Sequence, residues 1–255
     1  MMAVLFRLLL CGMAAAFIFG CAPAHIPVER PPELVWNKFR LGAKSIDPDQ
    51  SFLIRASISY DSPERSHRIQ SSLWGYINYP IRMDLSAGFG QTIAMWHEDE
   101  RFWQAYFPGE NTRYIHPDGS VGASILGYPT PFDLQQTVKV LLGDFGDLIP
   151  EAFYKAETLD GGWKYYFREH EVENIILDQD GSVRSVNGRG WKVEFSGRKN
   201  EDMFPYYSRI DMQLSEEQRA LVRIKSVELN AEQWDEEQLE LKIPPEAQTV
   251  HLPGS

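Results

Sequence analysis

Cysteine is almost missing from this chain: 255 residues contain two, Cys11 and Cys21, both near the N-terminus. A disulfide-dense scaffold is excluded, and so is a thiolate-rich zinc module, which needs its ligands spread through the fold. Positive charge is also short, with 25 Lys and Arg against 36 Asp and Glu for a net charge of −11. Such a surface does not attract nucleic acid or anionic headgroups by bulk electrostatics. Signatures of catalysis are missing as well. No G-x-S-x-G elbow occurs, and Gly143-Asp144-Phe145-Gly146 lacks the glycine-rich loop and the H-R-D sequence that would make it a kinase element. A Ser-His-Asp constellation converges only in space, and nothing local points to one. His97-Glu98-Asp99-Glu100 reads as a solvated turn at a strand end, because four consecutive residues cannot converge on one ion and no second histidine is suitably spaced. His116-Pro117-Asp118-Gly119 has turn chemistry, and His170 falls at a loop tip between Glu169 and Glu171. No catalytic residue, metal ligand or cofactor site is expected, and the chain is not expected to be an enzyme.

What the N-terminus does contain is ordered. Arg7 precedes an apolar run from Leu8 to Phe19 that is too short to span a bilayer, and Ile18-Phe19-Gly20-Cys21-Ala22 closes it. This stretch resembles the lipobox of a bacterial lipoprotein signal peptide. The resemblance implies cleavage after Gly20 and lipidation of Cys21 as the new N-terminus. Residues 1–20 would then be the signal peptide, and residues 21–33 a lipidated tether in which Pro23, Pro27, Pro31 and Pro32 favour an extended spacer. Residues 34–255 would form a single domain without a composition break or repeat. Stable anchoring takes more than one acyl chain. By resemblance to lipoprotein sorting, Ala22 rather than aspartate after the cysteine directs the protein to the outer membrane, facing the periplasm.

The periodicity after the tether is mainly β. A short helix is expected with Leu34, Val35, Phe39 and Leu41 on one side; then Phe52, Ile54, Ala56, Ile58 and Tyr60 alternate with polar or smaller residues. Further alternating runs cover 69–77, 81–85, 92–96 and 101–107. Others follow at 153–159, 163–168, 172–177, 183–186, 191–195, 205–214, 220–229 and 239–243. Asp160-Gly161, Asp180-Gly181 and Asn187-Gly188 mark hairpin turns. One helical interruption lies between Phe132 and Leu148, opened by Pro131 and Asp133 and broken by Gly143 and Gly146.

The order of lipidated cysteine, short helix, strand meander, lid and strand meander resembles the LolA/LolB-type lipoprotein-carrier family. Local stretches carry the likeness between Leu34 and Leu252. Ser51-Phe52-Leu53-Ile54-Arg55-Ala56 resembles the first strand, and Pro80-Ile81-Arg82-Met83-Asp84-Leu85 the strand with "x-x-R-x-x-L". Thr130-Pro131 through Leu141-Leu142-Gly143 resembles the lid segment ending "L-L-G", and Lys242-Ile243-Pro244-Pro245 the terminal "I-P". Strand lengths and the hydrophilic stretch from Asn230 to Glu240 depart from the best-known members. The implied fold is an open antiparallel half-barrel of about ten or eleven strands with a helical lid and a short N-terminal helix.

A half-barrel is not closed, so side chains, a lid or a ligand must fill its inner face. Strand parity offers Ile54, Ile58, Ile69, Leu73, Ile81, Met83, Leu85, Ile93 and Met95 from the first half. The second half offers Trp163, Tyr165, Phe167, Trp191, Val193, Phe195, Ile210 and Met212. These residues form either an acyl-binding cavity or an ordinary packed β-core. Lid positions are Leu134, Val138, Leu141, Leu142 and Phe145, with Gly143 and Gly146 as hinges. Trp103 and Phe107 are candidates for a protruding loop that touches the bilayer, with edge-strand packing as the alternative. The family implies binding of lipoprotein acyl chains or a related lipid, delivery to the outer membrane, a periplasmic carrier as partner, and a monomer. A docking module that uses the same fold in an envelope complex is the competing reading.

Overall fold

Alternation of apolar and polar residues folds most of the chain into strands. The computed structural model describes residues 30–42, 46–63, 66–88, 90–128, 130–201, 204–230 and 233–254. Cys21 and the tether up to residue 29 lie outside the described residues. From Pro31 on, the chain packs as one unit. It opens with helix α1 (Pro32–Gly42), followed by β1 (Ser51–Asp61), β2 (Ser66–Tyr76), β3 (Ile81–Ser86), β4 (Thr92–Glu98), β5 (Trp103–Phe107) and β6 (Thr112–His116). Two short helices interrupt, α2 (Gly119–Ile125) and α3 (Leu134–Leu141). Next come β7 (Lys155–Leu159), β8 (Gly162–Tyr166), β9 (Val172–Asp178), β10 (Val183–Gly188), β11 (Trp191–Glu201), β12 (Phe204–Gln213) and β13 (Arg219–Leu229). One turn of helix, α4 (Glu236–Leu239), precedes β14 (Gln248–His251).

All fourteen strands of the described residues form one sheet, ordered β14-β6-β5-β4-β3-β2-β1-β13-β12-β11-β10-β9-β8-β7. It is open, with β14 and β7 as its two edges. Within β1 to β6 and within β7 to β13, neighbours in sequence pair as hairpins, and β13 returns to pair with β1, joining the two meanders. Only β14 pairs in parallel, placing 248–251 beside 112–115. Strands β6 and β14 and helix α2 add to the elements legible in the sequence. The run 239–243 is not a strand: it leaves α4 as an extended strap with no ladder. The hairpin turn after β10 falls at Arg189-Gly190, two residues beyond Asn187-Gly188, with Gly190 at φ 81°.

Helices α1, α2 and α3 cover one face of the sheet, here the inner face. Over strands β8 to β12 that face is solid. From α1, the Trp36 ring packs 5.1–5.8 Å from Phe39, Phe153, Tyr165 and Phe167. Phe145 stands edge-on to Phe195, with ring centroids 5.1 Å apart. Polar contacts fix α1: the Trp36 indole donates to Glu151 O, Arg40 to Gly146 O and Ile149 O, and the Tyr165 hydroxyl to Pro32 O. The buried side of α1 is Val35, Trp36 and Phe39, while Leu34 and Leu41 face solvent. The outer face of β3 to β6 is covered differently, by the strap around α4. There Arg82 donates to Glu240 O and Gln238 O, and its Nη2 approaches Met95 Sδ at 3.3 Å.

Candidate functional site: a roofed apolar cavity

Cross-strand register fixes what the inner face presents over the other half of the sheet. One row runs Phe195–Ile210–Val222–Ile58–Ile69 across β11, β12, β13, β1 and β2. Another runs Ile54–Leu73–Met83–Trp96–Ala105 across β1 to β5. Between these rows and the roof lies a cavity of about 430 Å³, inside the size range of small-molecule sites. Helix α3 roofs it with Leu134, Thr137, Val140 and Leu141, aided by Tyr128 and Phe132 ahead of the helix. One end reaches the hairpin tips, where Tyr60, His67, Arg68 and Leu214 line it. The other end reaches Trp103, Gly119, Thr130 and Asp133.

The sequence-derived positions separate into three groups. Ile58, Ile69, Leu73, Met83, Leu85, Ile93, Ile210 and Met212 line the cavity, together with Leu134 and Leu141 of the roof. A second group is buried in packed core and does not line it: Ile54, Ile81, Tyr165, Val193 and Phe195 in the sheet, Phe167 just after β8, and Val138, Leu142 and Phe145 in and after α3. Trp163 and Trp191 are half-buried, and Trp191 packs edge-on to Phe132 at 5.4 Å. Met95 is a correction. The register shift between Leu85 and Ser86 leaves Ile93 as an extra residue in β4, so Ile93 reaches the cavity while Met95 turns to the outer face beside Arg82.

Trp103 and Phe107 are also corrections. Neither sits on an exposed loop; both lie in β5, whose five residues are all buried. Trp103 is 1 % exposed and lines the cavity, and Phe107 packs against Tyr114 and Tyr128. Glycines make room for this tryptophan. A Cβ at Gly122 would lie 2.7 Å from the Trp103 ring, and one at Gly119 2.6 Å from Glu98 Oε2. Sequence reading also missed the lining residues Ala56, Ser71, Trp96, Thr137 and Val222. For Ala56 and Val222 the alternation was a usable signal; Thr137 required knowing which side of α3 faces inward.

His97 and Glu98, read as a solvated turn, are instead buried within β4. Glu98 Oε2 accepts from the Leu134 backbone N–H at 2.8 Å, so the sheet holds the first residue of the roof helix directly. Its Oε1 accepts from the Tyr79 hydroxyl at 3.2 Å. Burial, reinforced by Asp133, pushes the Glu98 carboxyl up to about 7. Burial also raises Asp133 and, with Glu98 beside it, Tyr79. His97 turns outward, takes a hydrogen bond from Gln104 through Nδ1, and is held below its usual value by burial. It borders an outer cleft of about 800 Å³ beneath the strap, with Gln104, Arg113, Trp234 and Glu236. Acidic and basic groups mix there, and among the described residues no three His, Cys, Asp or Glu are placed to hold a metal. No described helix is long and apolar enough to cross a membrane.

No family model matches the sequence, and no curated protein is similar to it. Solved structures are. A LolA superfamily protein from Nitrosomonas europaea aligns with a TM-score of 0.52 at 10% identity, over 83% of this chain and 98% of that one. A DUF1329 family protein from Desulfovibrio piger aligns at 0.55 and 10%, over 82% and 99%. A putative outer membrane lipoprotein-sorting protein domain from Vibrio parahaemolyticus aligns at 0.50 and 8%, over 81% and 94%. At these identities the shared property is the fold: a mostly β, open LolA-type sheet with few helices.

Proposed function

We propose that this chain is a lipid-anchored envelope protein that takes acyl chains of lipoproteins, or of a related lipid, into the roofed cavity and helps deliver them to the outer membrane. The observation that carries the reading is the cavity itself: about 430 Å³ walled by Ile58, Ile69, Leu73, Met83, Ile210 and Met212 inside a LolA-type sheet. Each buried methylene contributes about 0.8 kcal/mol, so part of one chain suffices for affinity. Met83 and Met212 suit ligands of variable shape, because thioethers repack at little cost. No bond is made or broken in this role, and no metal or cofactor takes part. The wider picture is Cys21 as the lipidated residue, residues 21–33 as tether, 34–255 as one lipid-binding domain, a periplasm-facing monomer and a periplasmic carrier as donor. The competing docking-module reading needs a filled interior and an apolar outer patch; the outer face of β3 to β6 instead buries Arg82, His97 and Gln104.

Native mass spectrometry of residues 22–255 with a triacylated lipopeptide tests the reading. A one-to-one adduct is expected, and it should be lost when Ile69, Met83 and Met212 are replaced together by serine in a protein that still folds. A folded protein without an adduct would send the search to protein partners instead.

A further inference from the structure

Among the described residues four large apolar or aromatic side chains stand exposed: Leu34, Leu41, Ile125 and Tyr154. None of the four lies in a strand. Leu34 and Leu41 belong to α1 and Ile125 to α2, two of the helices over the inner face, and Tyr154 follows Phe153, whose ring packs edge-on to Trp36 of α1. Single exposed apolar residues are common on any surface. The pair on α1 differs by its spacing. Seven residues bring the second leucine back to within about 20° of the first, roughly 10 Å along the axis. The two form a stripe on the side of α1 opposite Val35, Trp36 and Phe39, which face the sheet. A surface helix ordinarily keeps that side polar, yet Leu34 is 59 % exposed and Leu41 78 %.

The place where the preceding chain joins the fold says what covers this stripe. It enters at the first residues of α1, where Pro32 O accepts from the Tyr165 hydroxyl. Cys21, the residue read as lipidated, stands eleven positions before Pro32. At no more than about 3.6 Å per residue, acyl chains on Cys21 would hold α1 within roughly 40 Å of the bilayer. Two leucines bind a bilayer weakly on their own, but a short tether raises their local concentration to roughly the millimolar range, where a weak contact is enough. Charge around the stripe is mixed, with Glu33 and Lys38 both exposed. The contact is therefore apolar, and Lys38 is long enough to lift its ammonium to the headgroups.

We propose that the solvent side of α1 docks on the bilayer surface through Leu34 and Leu41. This inference rests on the lipid-anchored reading and adds the orientation in which the cavity meets the membrane. Helices α1 and α3 cover the same face of the sheet, so docking turns the roof toward the lipid and the outer face away from it. An acyl chain released beneath α3 then passes into lipid instead of water.

Once the leader is removed Cys21 is the only cysteine, and lipidation consumes its thiol, so one introduced cysteine can be labelled alone. Bimane on Asn37→Cys, an exposed position of α1 beside the stripe, is read in the lipidated protein inserted in dioleoyl phosphatidylcholine vesicles, with and without the tail-brominated analogue. Bimane on Glu194→Cys is the control, on the outer face of β11 between the inward Val193 and Phe195. Bromine is expected to quench the α1 probe at least about twofold and to leave the β11 probe unchanged. Leu34→Glu combined with Leu41→Glu should abolish the quenching and slow delivery of acyl chains to the vesicles about tenfold. Both side chains already stand in solvent, so the double variant should keep Tm within about 2 °C of wild type and retain the lipopeptide adduct. An α1 probe blind to bromine, with the adduct intact, would overturn the docked helix and leave the cavity standing. Emission that follows protein density and not bromine would give the stripe to a second copy of this chain, and that too overturns the proposal. Quenching as expected without any adduct in the wild type would keep the docked helix and remove only the acyl reading.

Discussion

Glu98 shows how much one residue can carry. It ends β4 only 4 % exposed, bonded to the first backbone N–H of the roof helix and to the Tyr79 hydroxyl. Asp133, Asp118 and Asp99 are the further charges that act on Glu98 and Tyr79, all of them acidic. Its carboxyl is raised by burial from 4.5 to about 7, so between those values the folded state binds the proton and the unfolded state releases it. Stability therefore falls as pH climbs through that window and levels off above it. Glu98→Gln keeps an oxygen for Leu134 and carries no charge. The variant is expected to match wild type near pH 5 and to exceed it by on the order of 2–3 kcal/mol above pH 8. Urea unfolding at both pH values measures this, and a difference that ignores pH would refute the buried-charge account. Nothing in His97-Glu98-Asp99-Glu100 as a string announces burial: three acids in a row read as surface. The cause is tertiary, since the strap closes the outer face and the helices close the inner one.

At the scale of elements, legibility followed exposure. Strand β1 was plain because Phe52, Ile54 and Ala56 alternate with the less buried Leu53 and Arg55. Strand β5 was not. All five of its residues are buried, so it has no polar face to betray its pairing, and Trp103 and Phe107 look like loop aromatics. Helix α2 was hidden by its composition, Gly-Ser-Val-Gly-Ala-Ser-Ile, which makes a poor helix in isolation. Asp118 caps it through Val121 N–H, and Gly122 is needed for the indole beneath. The roof helix α3 was visible in both its start and its stop. Asp133 and Gln136 form a reciprocal capping box, and Gly143 follows at φ 76°. A Cβ at Gly143 would lie 2.7 Å from Pro205 O, so this glycine serves as a close-packed terminator between α3 and β12. Gly143→Ala combines a left-handed backbone with a backbone clash. It is expected to cost about 1–3 kcal/mol and to loosen the segment after α3. Thermal unfolding with hydrogen exchange across 134–149 reads both effects, and an unchanged melting temperature would show that the turn adjusts freely.

The whole molecule divides its inner face between two states of packing. Over β8 to β12 the rings of Trp36, Phe145, Phe153, Tyr165 and Phe195 interlock around α1 as an ordinary core. Over β12, β13 and β1 to β5 the same sheet leaves about 430 Å³ beneath α3. The sequence could list inward positions for both halves but could not say which would be filled, because that depends on where α1 docks. Protein interiors gain from close packing, so a wall that keeps this volume forgoes stability that larger side chains would supply. Ala56 and Ala220 line the cavity on β1 and β13, and replacing both by leucine tests that trade directly. Filling should add about 0.5–2 kcal/mol and raise Tm by a few degrees. It should also weaken acyl binding at least tenfold, because the tail loses the space it occupies. Binding lost while stability rises identifies a volume reserved for a ligand. A fall in Tm with acyl binding intact would mean that the added methyls met packed neighbours and that acyl chains lodge elsewhere, which would remove the cavity from the mechanism.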